Sequence, residues 1–403
     1  MQLLTQQLSA IEKLHKYKVG ALFMQPGTGK TRVACQLVNA VDCDLIVWVG
    51  PLNTIKPKPG IHSIIDEINK WGGFNAKVVY YGIESIQASD RIYLNLLAEI
   101  DNSKNPFIIV DESLKIKNIN AKRTQRLLHI SEIAEYKLIL NGTPLSKNLL
   151  DLYSQMNFLS PLILNMSLPE FKNTFCEYTK ITKKFGHISY SKEFITGYEN
   201  IDYLYALIQD YVFECDLSLN VNQLYKNYDY YIDQHSLDEY YFLKEKYLDN
   251  DMLLWKNNNI FIEMTQKMQQ AYCCTDDKFE IVNEYFKTIP QEKTIIYCKY
   301  VKSREMCEKY FSDATVLSYQ KESFGLNLQH LNHTVYFDKI WDLAFRNQAS
   351  ARTFRTGQEY DCYYLDLTGN VGLEKLINKN ILKKVSMLEY FKKKTIKELK
   401  EEL

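Results

Sequence analysis

The sequence predicts an α/β fold built on two separate parallel sheets, and three observations lead there. Short, continuous apolar runs recur through the first third of the chain. Helix-like stretches separate them. The same alternation reopens near the C-terminus after a long segment of different character. Strands apolar on both faces, with helices between them, are what a sheet covered on both sides requires. In order, the first set of strands is expected at "ALFM" (21–24), "DLIVWV" (44–49), "KVVYY" (77–81), "PFIIV" (106–110) and "YKLIL" (136–140). From about Leu152 to Thr288 the chain is rich in Tyr, Phe, Leu, Lys and Glu at helical spacing, with one clear extended run. The second set follows at "KTIIYC" (293–298), "TVLSY" (315–319), "TVYFD" (334–338) and "CYYLDL" (362–367). The last thirty residues read as one Lys-rich amphipathic helix, with Ile377, Ile381, Val385 and Leu388 along one face. The expected layout is a lobe over 1–150, a mainly helical insertion over 151–288, a reduced second lobe over 289–372 and a C-terminal basic helix over 373–403.

Composition excludes several classes. At 403 residues the chain is too long for one ordinary core. Apolar residues at 46% and charged residues at 24% describe a globular protein and not a disordered one. No run approaches the length a membrane span needs, and "MQLLTQQLSAIEKLHK" lacks a secretory pattern, so a cytoplasmic protein without membrane partners is expected. The nine cysteines show no CxxC pair, which fits free thiols in a reducing compartment. A formal net charge of zero means that any nucleic-acid surface must be a local patch.

Two motifs carry chemistry. In "ALFMQPGTGKTRVACQLV" a strand, a glycine turn and a helix follow one another. Gly27, Thr28 and Gly29 let backbone N–H groups curl around a phosphate at a helix N-terminus, Lys30 can reach the β- and γ-phosphates, and the Thr31 hydroxyl can hold Mg²⁺. Met24 stands where the full phosphate-loop pattern has its first glycine. Further on, "PFIIVDESLKIKN" ends an apolar strand in two carboxylates. Asp111 is placed to hold Mg²⁺ through water, and Glu112 to orient or deprotonate an attacking water. Either motif alone could be a turn of no chemical consequence. Together they describe a nucleotide hydrolysis site that uses Mg²⁺.

At this point the sequence resembles a family. "DESLKIKN" is similar to the acidic box and basic follow-on of the Swi/Snf-type ATPases of helicase superfamily 2. "LILNGTPLSKNLLDLYSQMNFLSP" (138–161) resembles their third motif, "GLNL" (325–328) their fifth, and "QASARTFRTGQ" (348–358) their sixth. "VGPLNT" with "IIDEINKWG", and "GLEKLINKNILKKV", resemble the segment between the first two motifs and the closing tail. The compact form resembles versions carried by phages, viruses and other mobile elements.

The resemblance implies two RecA-like P-loop NTPase lobes with ATP between them, gripping DNA across a cleft. Gln7 corresponds to the glutamine that reads adenine, with Gln6 adjacent. Arg352 and Arg355, three apart and expected on one helix face, correspond to arginines that stabilise transition-state charge, flanked by Gln348. Gly142 and Thr143 would couple hydrolysis to DNA contact. Gly325 and Asn327 would touch the DNA backbone or the Mg²⁺ site. Lys115, Lys117, Lys122 and Arg123 are the nearest candidates for a basic DNA-facing lining. Lys278 resembles the lysine before the linker helix, and the insertion sits where the family carries helical protrusions. One departure stands out: residues 299–324 are too few to carry the strand–helix unit that a complete second lobe has between its first strand and fifth motif. The function expected is a DNA-dependent ATPase that moves on double-stranded DNA and displaces or remodels what it meets, with protein partners of replication, repair or transcription. The alternatives are a strand-separating helicase and an inactivated module that binds DNA or protein.

Overall fold

The structure is a computed structural model that describes residues 2–57, 63–142, 149–185, 188–248, 258–319 and 328–383. The chain folds as two compact units, Met1–Leu217 and Ser218–Leu403. The first runs α1 (Thr5–Leu14), β1 (Val19–Met24), α2 (Lys30–Asn39), β2 (Leu45–Gly50), α3 (Leu52–Ile55), α4 (Ile64–Lys70), β3 (Lys77–Gly82), α5 (Ile83–Ala88) and α6 (Asp90–Asp101). It continues through β4 (Pro106–Asp111), α7 (Lys122–Ile133), β5 (Tyr136–Asn141), α8 (Leu150–Leu159), α9 (Pro161–Leu164), α10 (Leu168–Phe175), β6 (Cys176–Phe185), β7 (Ile188–Tyr198), α11 (Ile201–Ile208) and β8 (Val212–Cys215).

Six of these strands form a fully parallel sheet in the order β3-β2-β4-β5-β1-β8. The continuous apolar sequence explains the choice: every residue of β2 is buried, as are all but the last of β4. Helices cover both faces, over two apolar clusters centred on Val47, Ile108 and Ile139 on one side and Ile46, Ile109 and Leu140 on the other. Helix starts follow local capping chemistry. Ser63 with Asp66, and Ser167 with Glu170, close reciprocal caps on α4 and α10.

The second unit runs β9 (Gln223–Tyr230), α12 (Gln234–Leu248), α13 (Asn258–Ala271), α14 (Asp276–Phe286), β10 (Thr294–Cys298), α15 (Val301–Tyr310), β11 (Thr315–Ser318), β12 (His333–Tyr336), α16 (Leu343–Ser350), β13 (Cys362–Gly369) and α17 (Gly372–Lys383). Its sheet is also fully parallel, in the order β11-β10-β12-β13-β9. The fold is therefore α/β with two parallel-sheet units, as the sequence implies.

The middle of the chain differs from its helical reading. The segment 151–288 is divided between the two units and contains four strands among its described residues. β6 and β7 pair with each other alone as an antiparallel ribbon, β8 extends the first sheet beside β1, and β9 extends the second beside β13. The Tyr-rich stretch that starts at Tyr225 is thus strand before it is helix. The physical reason is exposure: β9 is an edge strand whose side chains, Tyr230 apart, are largely in solvent, so it shows no apolar run to read. In the C-terminal helix Ile377 is buried as expected, whereas Val385 and Leu388 lie outside the described residues.

Candidate nucleotide-hydrolysis site

In the first unit, β1 ends at Met24 and α2 begins at Lys30, so the glycine loop joins the buried centre of a sheet to a helix N-terminus. Gly27 and Gly29 both hold φ +91°, a conformation L side chains rarely adopt. Thr28 is fully buried, and its hydroxyl donates to the Gln25 carbonyl at 2.7 Å. The Lys30 ammonium donates to the Met24 carbonyl at 2.7 Å, folded back over the loop. Gln7, on α1, is buried against the loop. Its Nε2 donates to the Thr28 carbonyl at 3.0 Å, and its Oε1 accepts the Leu4 N–H at 3.1 Å. A Cβ built on Gly29 would lie 2.2 Å from Gln7 Nε2, so a side chain there would push the Gln7 amide off the Thr28 carbonyl besides straining the positive φ. Of the two adjacent glutamines, Gln7 is the one that touches loop backbone.

β4 lies two strands from β1 and delivers Asp111 at its end. Burial raises the Asp111 carboxyl, the Glu112 charge raises it further, and the Lys30 ammonium pulls it down, for a result of about 7. Lys30 and Asp111, far apart in sequence, thus act on one another electrostatically. Glu112 occupies the left-handed region at φ 53°, with its N–H donating to Asp111 Oδ1 at 3.0 Å. The other described non-glycine residues with positive φ are Asn165 and Asn200, a type that tolerates it. A glutamate there is strained, at a cost on the order of 1 kcal/mol. The turn after it is held from behind: the buried Ser113 hydroxyl donates to Gln155 Oε1 on α8 at 2.7 Å, and Ser154 donates to the Ile116 carbonyl at 2.6 Å.

At the end of β5, Asn141 is buried and accepts the Gly142 N–H at 2.8 Å. A Cβ on Gly142 would stand 3.0 Å from Pro26, so this strand end touches the phosphate loop. Thr143, Gly325 and Asn327 lie outside the described residues.

Thr31 and Asp111 offer hard oxygen donors of the kind Mg²⁺ prefers. Among the described residues no group of three or more His, Cys, Asp or Glu forms a metal set. A divalent ion here would therefore share its coordination with nucleotide oxygens.

In the second unit, Gln348 is half-buried on α16, Arg352 is buried and Arg355 is half-buried. The expectation that both arginines ride one helix is corrected: α16 ends at Ser350, and the arginines sit in the turn that follows. Side-chain bonds hold the helix end and the turn together, beside backbone bonds from the Thr353 and Phe354 N–H groups to the Ser350 carbonyl at 3.2 and 3.0 Å. Tyr364 OH donates to the Ser350 carbonyl at 3.2 Å and pairs with the Thr353 hydroxyl at 3.0 Å. Gln358 then pins the turn, donating to the Thr353 and Leu331 carbonyls at 3.1 and 3.0 Å.

The basic residues after the acidic box are engaged within the first unit. Lys115 pairs with Glu84 at 2.7 Å, Lys122 with Asp90 at 3.0 Å, and Arg123 donates to Gln87 at 3.3 Å.

The family model described as the SNF2-related domain matches residues 74–310, more than half of the chain. The chain belongs to the SNF2-related family. That family is the Swi/Snf-type ATPases of helicase superfamily 2. The matched span includes Asp111, Glu112 and Gly142, and it excludes the phosphate loop and the two arginines, which rest on the sequence and the structure. Among curated proteins, the SWI/SNF-related regulator of chromatin containing DEAD/H box 1 of Xenopus tropicalis is 29% identical over 201 residues, 43% of this chain and 19% of that protein. Helicase ssl-1 of Caenorhabditis elegans is 30% identical over 39% of this chain and 7% of its own length. Helicase SWR1 of Yarrowia lipolytica is 28% identical over 38% and 10%. The matches thus span less than a fifth of these relatives. The Sulfolobus solfataricus SWI2/SNF2 ATPase core in complex with dsDNA aligns over 95% of this chain and 91% of its own, at 18% identity and a TM-score of 0.40.

Within this SNF2-related chain, sequence reasoning missed Ser113 and Gln155. Their bond crosses 42 positions, and neither residue type signals anything alone. It also missed Gln25, whose amide donates to Asp216 at 2.7 Å and so ties the phosphate loop to the strand end of β8. Among the described residues no helix is long and apolar enough to cross a membrane.

Proposed function

We propose that this chain is a DNA-dependent ATPase that couples hydrolysis to movement along duplex DNA and displaces or remodels bound factors. The observation that carries the reading is geometric: the glycine loop after β1, with Gly27 and Gly29 at φ +91° and Lys30 opening α2, belongs to the same sheet as Asp111 at the end of β4, beside the strained Glu112. A cation for phosphates, an acid for a metal and an acid for water, held on rigid elements, suit phosphoryl transfer to water. Residues 27–31 cradle the phosphates, and Gln7 reads the adenine. Thr31 and Asp111 would hold Mg²⁺, which when bound would neutralise charge on the phosphates. Glu112 orients the attacking water and takes its proton, and Arg352 and Arg355 of the second unit stabilise charge in the transition state. Gly142, Thr143, Gly325, Asn327 and Gln348 link the nucleotide to the nucleic acid.

Duplex DNA as partner is supported by family membership and by relatives named as helicases and chromatin regulators. Net charge of zero places the grip in a local lining. The ion pair at Lys122 is solvent-facing and weak and that at Lys115 is half-buried, and a phosphate can exchange for their carboxylates. Strand separation is a second reading, favoured by one observation: the β6–β7 ribbon, with ten- and eleven-residue strands outside both main sheets.

Turnover measured with duplex DNA, single strands and RNA tests the reading. Duplex DNA should raise it severalfold, and Lys30→Ala should abolish it, because bound phosphates lose a close cation. Glu112→Gln should keep ATP binding and lose turnover by about 10² or more. Turnover retained in Lys30→Ala would put the site elsewhere. Triplex displacement without unwinding of a forked duplex supports movement on duplex DNA, and efficient unwinding favours the second reading.

A further inference from the structure

The arginines of the sixth motif stand in a short turn, and a turn has little rigidity of its own. What fixes it lies one helix earlier. Arg346, on α16, sends its guanidinium under the helix to Asp366 on β13, in a two-pronged contact: Nη1 to Oδ1 at 2.7 Å and Nη2 to Oδ2. The Cζ of the same guanidinium lies over the Tyr336 ring of β12, 3.9 Å from its centre. Both side chains of the pair are largely buried. Lys339, itself buried, reaches Asp366 as a second cation at 3.4 Å. One turn after Arg346, the Ser350 hydroxyl meets Tyr336 OH at 2.7 Å and donates to the Arg346 carbonyl at 3.1 Å. Arg352 N–H then donates to the Ala349 carbonyl at 3.2 Å.

We propose that Arg346 and Asp366 form a positioning pair that fixes where α16 ends, and so where Arg352 and Arg355 are presented. The two residues touch no reacting atoms; they act through the arginines. Two-pronged pairing sets orientation as well as distance, which a single lysine contact does not. Burial opposes the charge on Asp366, and Arg346 together with Lys339 outweighs it, holding the carboxyl below the usual range. The clamp rests on the reading of Arg352 and Arg355 as transition-state residues.

The test is a cycle of Arg346→Met and Arg355→Ala, alone and combined, in the full chain. Turnover, KM for ATP, nucleotide binding and thermal unfolding are measured for each. Arg346→Met leaves Asp366 paired with Lys339, so the fold is expected to survive. Turnover should fall roughly tenfold or more with KM and nucleotide binding unchanged, as misplacement of a transition-state group does. Arg346→Lys should recover part of the loss. In the Arg355→Ala background the further loss should be smaller than in the parent, because one of the two groups being positioned is gone. Equal losses in both backgrounds, or full turnover in a folded Arg346→Met, would overturn the proposal. If Arg355→Ala itself keeps full turnover, the role given to the arginines falls instead, and that result is separately visible.

Discussion

The two units share one architecture and fill it differently. The interior of the first is mostly aliphatic and aromatic hydrocarbon: its largest fully buried side chains are Trp48, Phe158, Phe171 and Phe175, and among the described residues its buried charged side chains are Lys137 near the start of β5 and Asp151 on α8. The second buries Tyr230, Tyr240, Tyr297, Tyr319, Tyr336 and Tyr364 together with Lys278, Asp338, Lys339, Arg346 and Glu374. Lys278 donates to Asp338 at 3.0 Å and to the Cys273 carbonyl at 2.9 Å, and lies 4.1 Å from the centre of the Phe337 ring. Apolar burial is non-directional and tolerates adjustment, whereas a buried polar network demands that each partner be in place. Away from Asp111, the core of the first unit should therefore respond to lost volume, and that of the second to lost partners and to protons.

The largest effect should come from splitting the buried pair. Lys278→Met leaves Asp338 charged and buried without its cation, and should destabilise the second unit by about 3–5 kcal/mol. The paired change Lys278→Met with Asp338→Leu should recover much of that. Denaturant unfolding of the three proteins checks it, and a single variant as stable as the parent would erase the contrast between the units.

Acid should come next. Burial, and then the Lys293 charge, push His333 down to about 4, and its ring meets Tyr285 OH at 2.6 Å and stacks on Tyr363. Above about pH 6.5 the ring is neutral in both folded and unfolded chain and adds no pH dependence. As pH falls from about 6.5 toward 4 the unfolded chain takes the proton first, so stability declines over that window. Hydrogen exchange should show the second unit opening first over that range, and His333→Gln should flatten the response. The smallest effect should be Ile109→Val in the first unit, about 0.5–1.5 kcal/mol and insensitive to pH. A pH-dependent loss there would mean that the first core is less apolar in behaviour than in composition.

Legibility followed the same divide. β2 and β4 were readable to within a residue because burial on both faces leaves an unbroken apolar run. β9 was not, since an edge strand in solvent carries "QLYKNYDY" without penalty. The β6–β7 ribbon was hidden for a related reason: its "CEYTKITKKF" and "ISYSKEFITGY" present no run like those of the main sheets. Of the candidate site, the phosphate loop and acid pair could be read because backbone geometry dictates their glycines and spacing. Gln7 needed the structure to separate it from Gln6. Arg346 and Asp366 are ordinary charges until the fold brings together residues 20 positions apart.

The left-handed glutamate sets stability and activity against each other at one position. Asn165 and Asn200 show what the chain uses where such a backbone is needed and no carboxylate is. Placing asparagine or glycine at Glu112 would relax the turn by on the order of 1 kcal/mol while removing the group that handles the water. Any search for sturdier variants that scores only resistance to heat would thus be drawn toward this residue early. It would return proteins that keep their shape longer and have lost the reaction.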